Sequence, residues 1–397
     1  MKQIKIYGAL LTFIIISFFS CQKPGNNNSG QEPGKDPDQE QPKPEEPGGT
    51  LTGVKYNPGH YWMIYKRQRA NPDYLRGVRA DFVNAKAIKG IQVKFTWREL
   101  ENQMGDYNWT GIDSLLNLVK EYGKQLVILL ELKSFHTTET KYLVPDYALN
   151  NPDFGGGIQP YTAYGGTDKK GDVIKIWNQN VFNRFDSLLK KLGKRYNHEP
   201  RFEGIGLSES TFQCYPAGTN CVSDATFFQE LMKLNRRLKA YFPNSLTYQF
   251  VNYPRSQLAF QAGELKDMGS GWAGPDVFPT DEGLINPGQA YSYYRQLSGI
   301  IPLLPSVQSE DYTWTRHDLS NDPCCGHVPT IEELHIYARD SLNANYIFWE
   351  RAFMDGVNYF ARVLERLNEP AQRDAPAGGL DAACPSSYAS RGGCITY

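Results

Sequence analysis

The sequence predicts an α/β fold, a (β/α)8 TIM barrel in a single domain with long active-site loops, and three observations carry the prediction. Short apolar runs of strand character alternate with longer amphipathic stretches from residue 51 onward. The runs number about eight, the count a closed parallel barrel needs. No glycine-rich G-x-G-x-x-G turn follows the first of them, which argues against an open dinucleotide-binding sheet.

The elements follow in order. A first strand is predicted near 53-GVKYN-57, a second at 90-GIQVKF-95 with a helix over 112-IDSLLNLVKEYG-123, and a third at 125-QLVILLEL-132. The helix 179-QNVFNRFDSLLKKLGKRY-196 carries Phe182, Phe185, Leu188, Leu189 and Leu192 at spacings of three and four, the mark of one buried face. Strand four is 202-FEGIGLS-208, with its helix over 225-ATFFQELMKLNRRLKAYF-242. Strands five to eight are 246-LTYQFVN-252, 271-GWAGPDVF-278, 300-IIPLLPSVQ-308 and 345-NYIFWE-350, and 354-MDGVNYFARVLERL-367 is the closing helix.

Ahead of the barrel, residues 1–20 read as an export signal, with Lys2 and Lys5 before an apolar run too short to span a membrane convincingly. Its ending, Phe18-Phe19-Ser20-Cys21, resembles a bacterial lipobox, which implies that Cys21 is acylated and attaches the protein to a membrane by lipid alone. Gln22 in the next position favours the outer membrane, periplasmic or cell-surface facing. Residues 21–50 are Pro, Gly, Asn and acidic residues without core-forming side chains, a disordered tether before the domain at 51–397.

Without Cys21 an even set of cysteines remains: Cys214, Cys221, Cys324, Cys325, Cys384 and Cys394. In an exported chain this points to disulfides, and Cys214–Cys221 and Cys384–Cys394 would close short loops. The cysteines lack zinc-ligand spacing and the histidines are scattered, so no metal is expected. A net charge of -1 offers no electrostatic hold on nucleic acid. With 7 Trp, 25 Tyr and 20 Phe, the chain has rings to spare for stacking on sugars once its core is filled.

A barrel of this kind carries its active site at the C-terminal ends of the strands. The candidates there are His60, Tyr61 and Trp62 after strand one; Trp97, Arg98 and Glu99 after strand two; and Glu131, Lys133 and His136 after strand three. Ser208 and Glu209 follow strand four, Asn252 and Tyr253 strand five, Asp276 strand six, Glu310, Asp311, Tyr312 and Trp314 strand seven, and Trp349 and Glu350 strand eight. The segment from His136 to Trp177, rich in Gly, Tyr and Pro, is a long functional loop that shapes a groove or closes a pocket.

The stretch 94-KFTWRELENQMGDYNWTGIDSLLNLVKEYGKQLVILLEL-132 resembles the clan A retaining glycoside hydrolases, the cellulase- and mannanase-like (β/α)8 enzymes. That resemblance implies an acid/base glutamate at the end of strand four, here Glu209 in 205-IGLSE-209, and a nucleophile at the end of strand seven, here Glu310 in 304-LPSVQSE-310. It also implies that Trp349 floors the catalytic subsite. Two departures mark a divergent member: Ser208 stands where the family carries Asn, and 274-GPDVFPTDE-282 replaces a His-x-Tyr.

The chemistry wants two carboxyl groups, one protonated to donate to the leaving oxygen and one ionised to attack the anomeric carbon, about 5–5.5 Å apart for retention. The expected function is therefore a cofactor-free glycosidase acting on a β-linked poly- or oligosaccharide. Asp276 and Glu350 are the next candidates for the nucleophile. His60, Trp62, Trp97, His136, Ser208, Asn252, Tyr312, Trp314 and Trp349 are expected to bind substrate, and Arg98 and Lys133 to position carboxylates or bind an acidic sugar. The alternative is a non-catalytic barrel that captures glycans through the same cleft.

Overall fold

The computed structural model describes residues 51–135, 142–313 and 328–397. The expectations for the signal, Cys21, the tether, His136, Trp314 and the pair Cys324 and Cys325 fall outside them. Eight parallel strands close into a barrel: β1 Gly59–Ile64, β2 Ile88–Thr96, β3 Gln125–Glu131, β4 Phe202–Leu207, β5 Leu246–Phe250, β6 Gly271–Gly274, β7 Leu303–Val307 and β8 Tyr346–Glu350. Each strand lies beside its sequence neighbours, and β8 closes on β1 with Phe348 opposite Tyr61. The intervening helices are α1 Pro72–Asn84, α2 Thr110–Glu121, α3 Gln179–Tyr196, α4 Asp224–Tyr241, α5 Arg255–Met268, α6 Ala290–Leu297, α7 Ile331–Ile336 and α8 Tyr359–Leu367.

Local chemistry starts and seats these helices. The Asn178 side chain accepts from the Asn180 and Val181 amides at the head of α3, and Ser223 caps α4 by accepting from Thr226. The stripe Phe182, Phe185, Leu188, Leu189 and Leu192 is buried, as its spacing predicts.

Alternation along the strands sorts the core into two parts. Tyr61, Met63, Val127, Leu129, Tyr248, Phe250, Leu304, Tyr346 and Phe348 fill the barrel interior. Trp62, Ile91, Val93, Ile128, Ile205, Leu207, Trp272 and Trp349 belong to the shell between barrel and helices. In β4 the aliphatics therefore face the helices and the glycines face inward. A Cβ on Gly206 would meet the Tyr248 ring at 2.3 Å, so glycine there is what lets that ring into the barrel.

The first strand is not where composition puts it. Val54–Lys55 pairs in parallel with Cys394–Ile395 of the C-terminal tail, and the barrel strand begins at Gly59. The long β3–α3 segment is also ordered where it is described: Ile158–Thr162 pairs antiparallel with Gly171–Ile174 and with Gln213–Cys214. Disulfides join Cys214 to Cys221 and Cys384 to Cys394.

A polar knot closes the N-terminal end of the barrel. Glu203 accepts from the Asn57 amide at 2.6 Å, from Asn57 Nδ2 at 2.7 Å and from the Tyr346 hydroxyl at 2.6 Å. Burial raises its proton affinity, while these donors and Lys55 oppose the rise. Lys55 donates to the Asn197 and Glu199 carbonyls at 2.7 and 2.9 Å, and burial pulls its ammonium down to about 7. Replacing Glu203 with Ala strands these buried donors, and we expect a loss of about 3–5 kcal/mol in urea unfolding; an unchanged midpoint would refute a structural role for the knot.

Candidate functional site

The mouth is built from the last inward-facing position of each strand. Counting by twos from the interior residues, β1 leads from Tyr61 and Met63 to Tyr65, and β3 from Val127 and Leu129 to Glu131. β5 leads to Asn252, β7 from Leu304 to Gln308, and β8 from Tyr346 and Phe348 to Glu350. Gln92 of β2 donates to the Tyr248 hydroxyl at 2.9 Å, which turns Lys94 to the same face one step higher. An apolar barrel thus ends in a polar ring.

Glu209 stands just past β4, partly exposed. Asn252 donates to its Oε2 at 3.0 Å, and the Asn252 oxygen accepts from the amides of Thr211 and Tyr253 at 3.0 and 2.9 Å. Asn252 therefore fixes the carboxylate and the turn behind it together. The Ser208 oxygen accepts from Leu132 at 2.9 Å, so the serine stitches β4 to β3 and is buried. Lys133 is also buried and donates to the Thr211 carbonyl. Burial pulls its ammonium down to about 8, with Glu209 acting the other way.

The β6 and β7 ends face this carboxylate. Burial raises the proton affinity of Asp276 well above the usual carboxylate range, and the charges of Glu209 and Glu310 raise it further. Gln308 and Lys94 oppose the rise. The three acids thus share one electrostatic environment. Gln308 Nε2 donates to the Pro275 carbonyl at 2.8 Å, with Asp276 Oδ1 at 3.5 Å. The Tyr65 hydroxyl donates to Gln308 Oε1 at 2.7 Å and lies 3.3 Å from Glu350 Oε2. Glu350 in turn accepts from the Ser309 amide at 2.8 Å. Buried Asp311 ties β6 to β7 by accepting from the amides of Gln308 at 2.6 Å and Val277 at 3.1 Å.

Several sequence candidates lie elsewhere. His60 is in β1 and not after it, because the strand starts at Gly59; its Nε2 donates to Gly378 at 3.1 Å and its Nδ1 accepts from Trp349 at 3.0 Å. Burial holds this imidazole down to about 4. Trp62 and Trp349 face the helices with no exposed surface, so neither offers a face to substrate, and Trp349 does not floor the cleft. Trp97 is equally buried, packing on Phe185 and donating to Glu101 at 2.8 Å. Tyr312 donates to the Glu350 carbonyl at 2.9 Å and stacks on Tyr359 beneath the surface. Arg98 pairs with exposed Asp146 at 2.5 Å.

Glu310 lies on a 3-10 turn, exposed, three residues beyond the β7 terminus, and the position directly after the strand belongs to Gln308. Sequence reasoning missed Tyr65, Lys94 and Gln308. The signal for Lys94 was present in polar Gln92, Lys94 and Thr96 alternating with apolar Ile91, Val93 and Phe95. It also missed Tyr164, half exposed, whose ring stacks on Tyr253 at 6.4 Å beside the mouth.

Solved glycosidases share this architecture. The catalytic domain of a β-amylase from Paenibacillus polymyxa matches with a TM-score of 0.53 at 9% identity, over 79% of this chain and 98% of that one. A β-galactosidase from the Antarctic haloarchaeon Halorubrum lacusprofundi matches at 0.51 and 12% identity, over 77% of this chain and 57% of that one. Endo-glycoceramidase II from Rhodococcus sp. matches at 0.50 and 10% identity, over 79% and 80%. No family model and no curated protein matches the chain. The likeness is one of fold: this chain is a closed (β/α)8 barrel of a kind that glycoside hydrolases use.

Proposed function

We propose that the protein is a glycoside hydrolase that cleaves a β-linked poly- or oligosaccharide with retention, Glu209 serving as acid/base and Glu310 as nucleophile. The observation that supports this reading is that Glu209, held by Asn252 past β4, and Glu310, past β7, both lie near enough to Asp276 for their charges to act on it. Glu209 protonates the departing oxygen while Glu310 attacks the anomeric carbon; Glu209 then takes the proton from the water that releases the sugar. Asn252 holds the first carboxylate in place, and the exposed ring of Tyr164 offers a stacking face at the rim.

Replacing Glu209 or Glu310 with Gln is expected to lower kcat by about a thousandfold or more, with an unchanged melting profile. Near wild-type turnover of a glycan panel by Glu209→Gln would overturn the reading. A collapse in Asp276→Asn together with an active Glu310→Gln would move the nucleophile to Asp276. A second reading, a non-catalytic glycan-binding barrel, is favoured by one feature: the neutral amide of Gln308 at the end of β7. Binding of glycans by the wild type without any turnover would select it.

Asp276 also sets a pH dependence of stability. A carboxyl that holds its proton more tightly folded than unfolded favours the folded state below the ordinary carboxylate value, and that contribution is lost as pH rises through the folded value. Asp276→Asn removes this loss, so the variant should melt about 2–4 °C higher than wild type at pH 7. The difference should shrink toward pH 4, as differential scanning calorimetry across that range would reveal.

We also propose that Cys21 is acylated and holds the protein at the outer membrane. Metabolic labelling with a fatty acid should mark the wild type and leave Cys21→Ser unlabelled in the soluble fraction; equal labelling of both would refute the assignment.

A further inference from the structure

Lys94 is the one member of the polar ring whose hydrogen-bonding groups the described residues leave unused. The side chain is 8% exposed, on the inward face of β2. Its ammonium sits 4.2 Å from the centre of the Tyr65 ring. Among the described residues no carboxylate is within ion-pair distance and no oxygen accepts from it. The other polar groups around it are engaged: Asn252 with Glu209, Gln308 with Tyr65 and Pro275, Glu350 with Ser309, and Lys133 with the Thr211 carbonyl.

An ammonium has three donors and no acceptor, and the part of Lys94 that stays exposed leaves those donors open to a ligand in the cleft. Tyr65 supplies only the electron-rich face on one side. The acids that act on the mouth from β4, β6 and β7 leave the ammonium without direct contact, although its charge reaches Asp276. The missing piece is an acceptor, and charge-assisted bonds to an anionic oxygen are the strongest form of that contact.

We propose that Lys94 selects a substrate carrying an anionic group, a carboxylate or a sulfate on the sugar ring, and receives that group on the β1–β2 side of the mouth. The inference rests on the reading that the cleft takes carbohydrate. Neutral hydroxyls of the ring can then meet the acids and amides opposite, while the anion meets Lys94 on its aromatic support. Tyr65 couples the two halves, since its hydroxyl touches Gln308 and its face touches Lys94.

The test is calorimetric binding to the Glu209→Gln protein, so that it does not depend on turnover. The ligands are uronic-acid oligosaccharides with their carboxyl-reduced counterparts, and sulfated galactan oligosaccharides with their desulfated counterparts. An anionic ligand should bind about tenfold or more tightly than its neutral counterpart. The pair that shows the preference identifies the anion. Adding Lys94→Met should bring that ratio close to one, and Lys94→Arg should preserve it. Circular dichroism establishes that each variant is folded.

A ratio of one in the parent protein for both pairs overturns the inference, as does a ratio that survives Lys94→Met. An anion preference in a wild type that hydrolyses no glycan would leave the inference standing and defeat the hydrolase reading.

Discussion

Aromatic packing inside the barrel is the constraint on which the rest of the molecule depends. Tyr61 meets Tyr346 at 5.6 Å and Phe348 at 5.9 Å, and Tyr248 meets Phe348 at 5.8 Å. Rings of this size fill the lumen, so no ligand can pass through it. They fit only because β4 presents glycine where Tyr248 arrives, and the charged groups are displaced to the two ends of the barrel. The Glu203 knot seals the opposite end, where a buried carboxylate is satisfied by its own chain.

In the polar layer, scaffolding and chemistry are divided among residues of similar type. Asp311 spends both carboxylate oxygens on backbone amides, and Glu350 accepts the Ser309 amide through Oε2, so that the two set the course of the β7 turn. Glu209 receives one amide from Asn252 and keeps part of its surface open to the cleft. Asp276 lies between these cases: its backbone carbonyl is fixed by the Tyr291 hydroxyl at 2.9 Å, and its carboxyl faces the other acids. Such fixed surroundings are what a preorganised site requires.

The barrel was legible because its signals are local: apolar runs and the helical spacing in α3. The positions of Glu209 and Asn252 past β4 and β5 were legible because those two apolar runs break directly into polar residues. Trp349 was misread because alternation in β8 turns Tyr346, Phe348 and Glu350 inward and Trp349 outward; His60 and Trp62 were misread for another reason. Val54–Lys55 has the composition of a barrel strand, yet its partner lies more than three hundred residues away, which no local pattern reveals. Once β1 begins at Gly59, period-two alternation turns His60 and Trp62 toward the helices. Trp97 was misread because its indole partner, Glu101, is itself buried by the Arg184 contact from α3. The Gln308 position depended on where β7 stops, and strand ends are the least determined feature of a pattern.

The pairing of Val54–Lys55 with Cys394–Ile395 places both ends of the folded domain beneath the barrel, and the Cys384–Cys394 bridge pins one of them. The Tyr397 amide donates to Asn57 at 2.7 Å in the same place. The polypeptide therefore enters and ends at the pole opposite the carboxylates, and neither end of the described domain crosses the cleft that a polymer would approach.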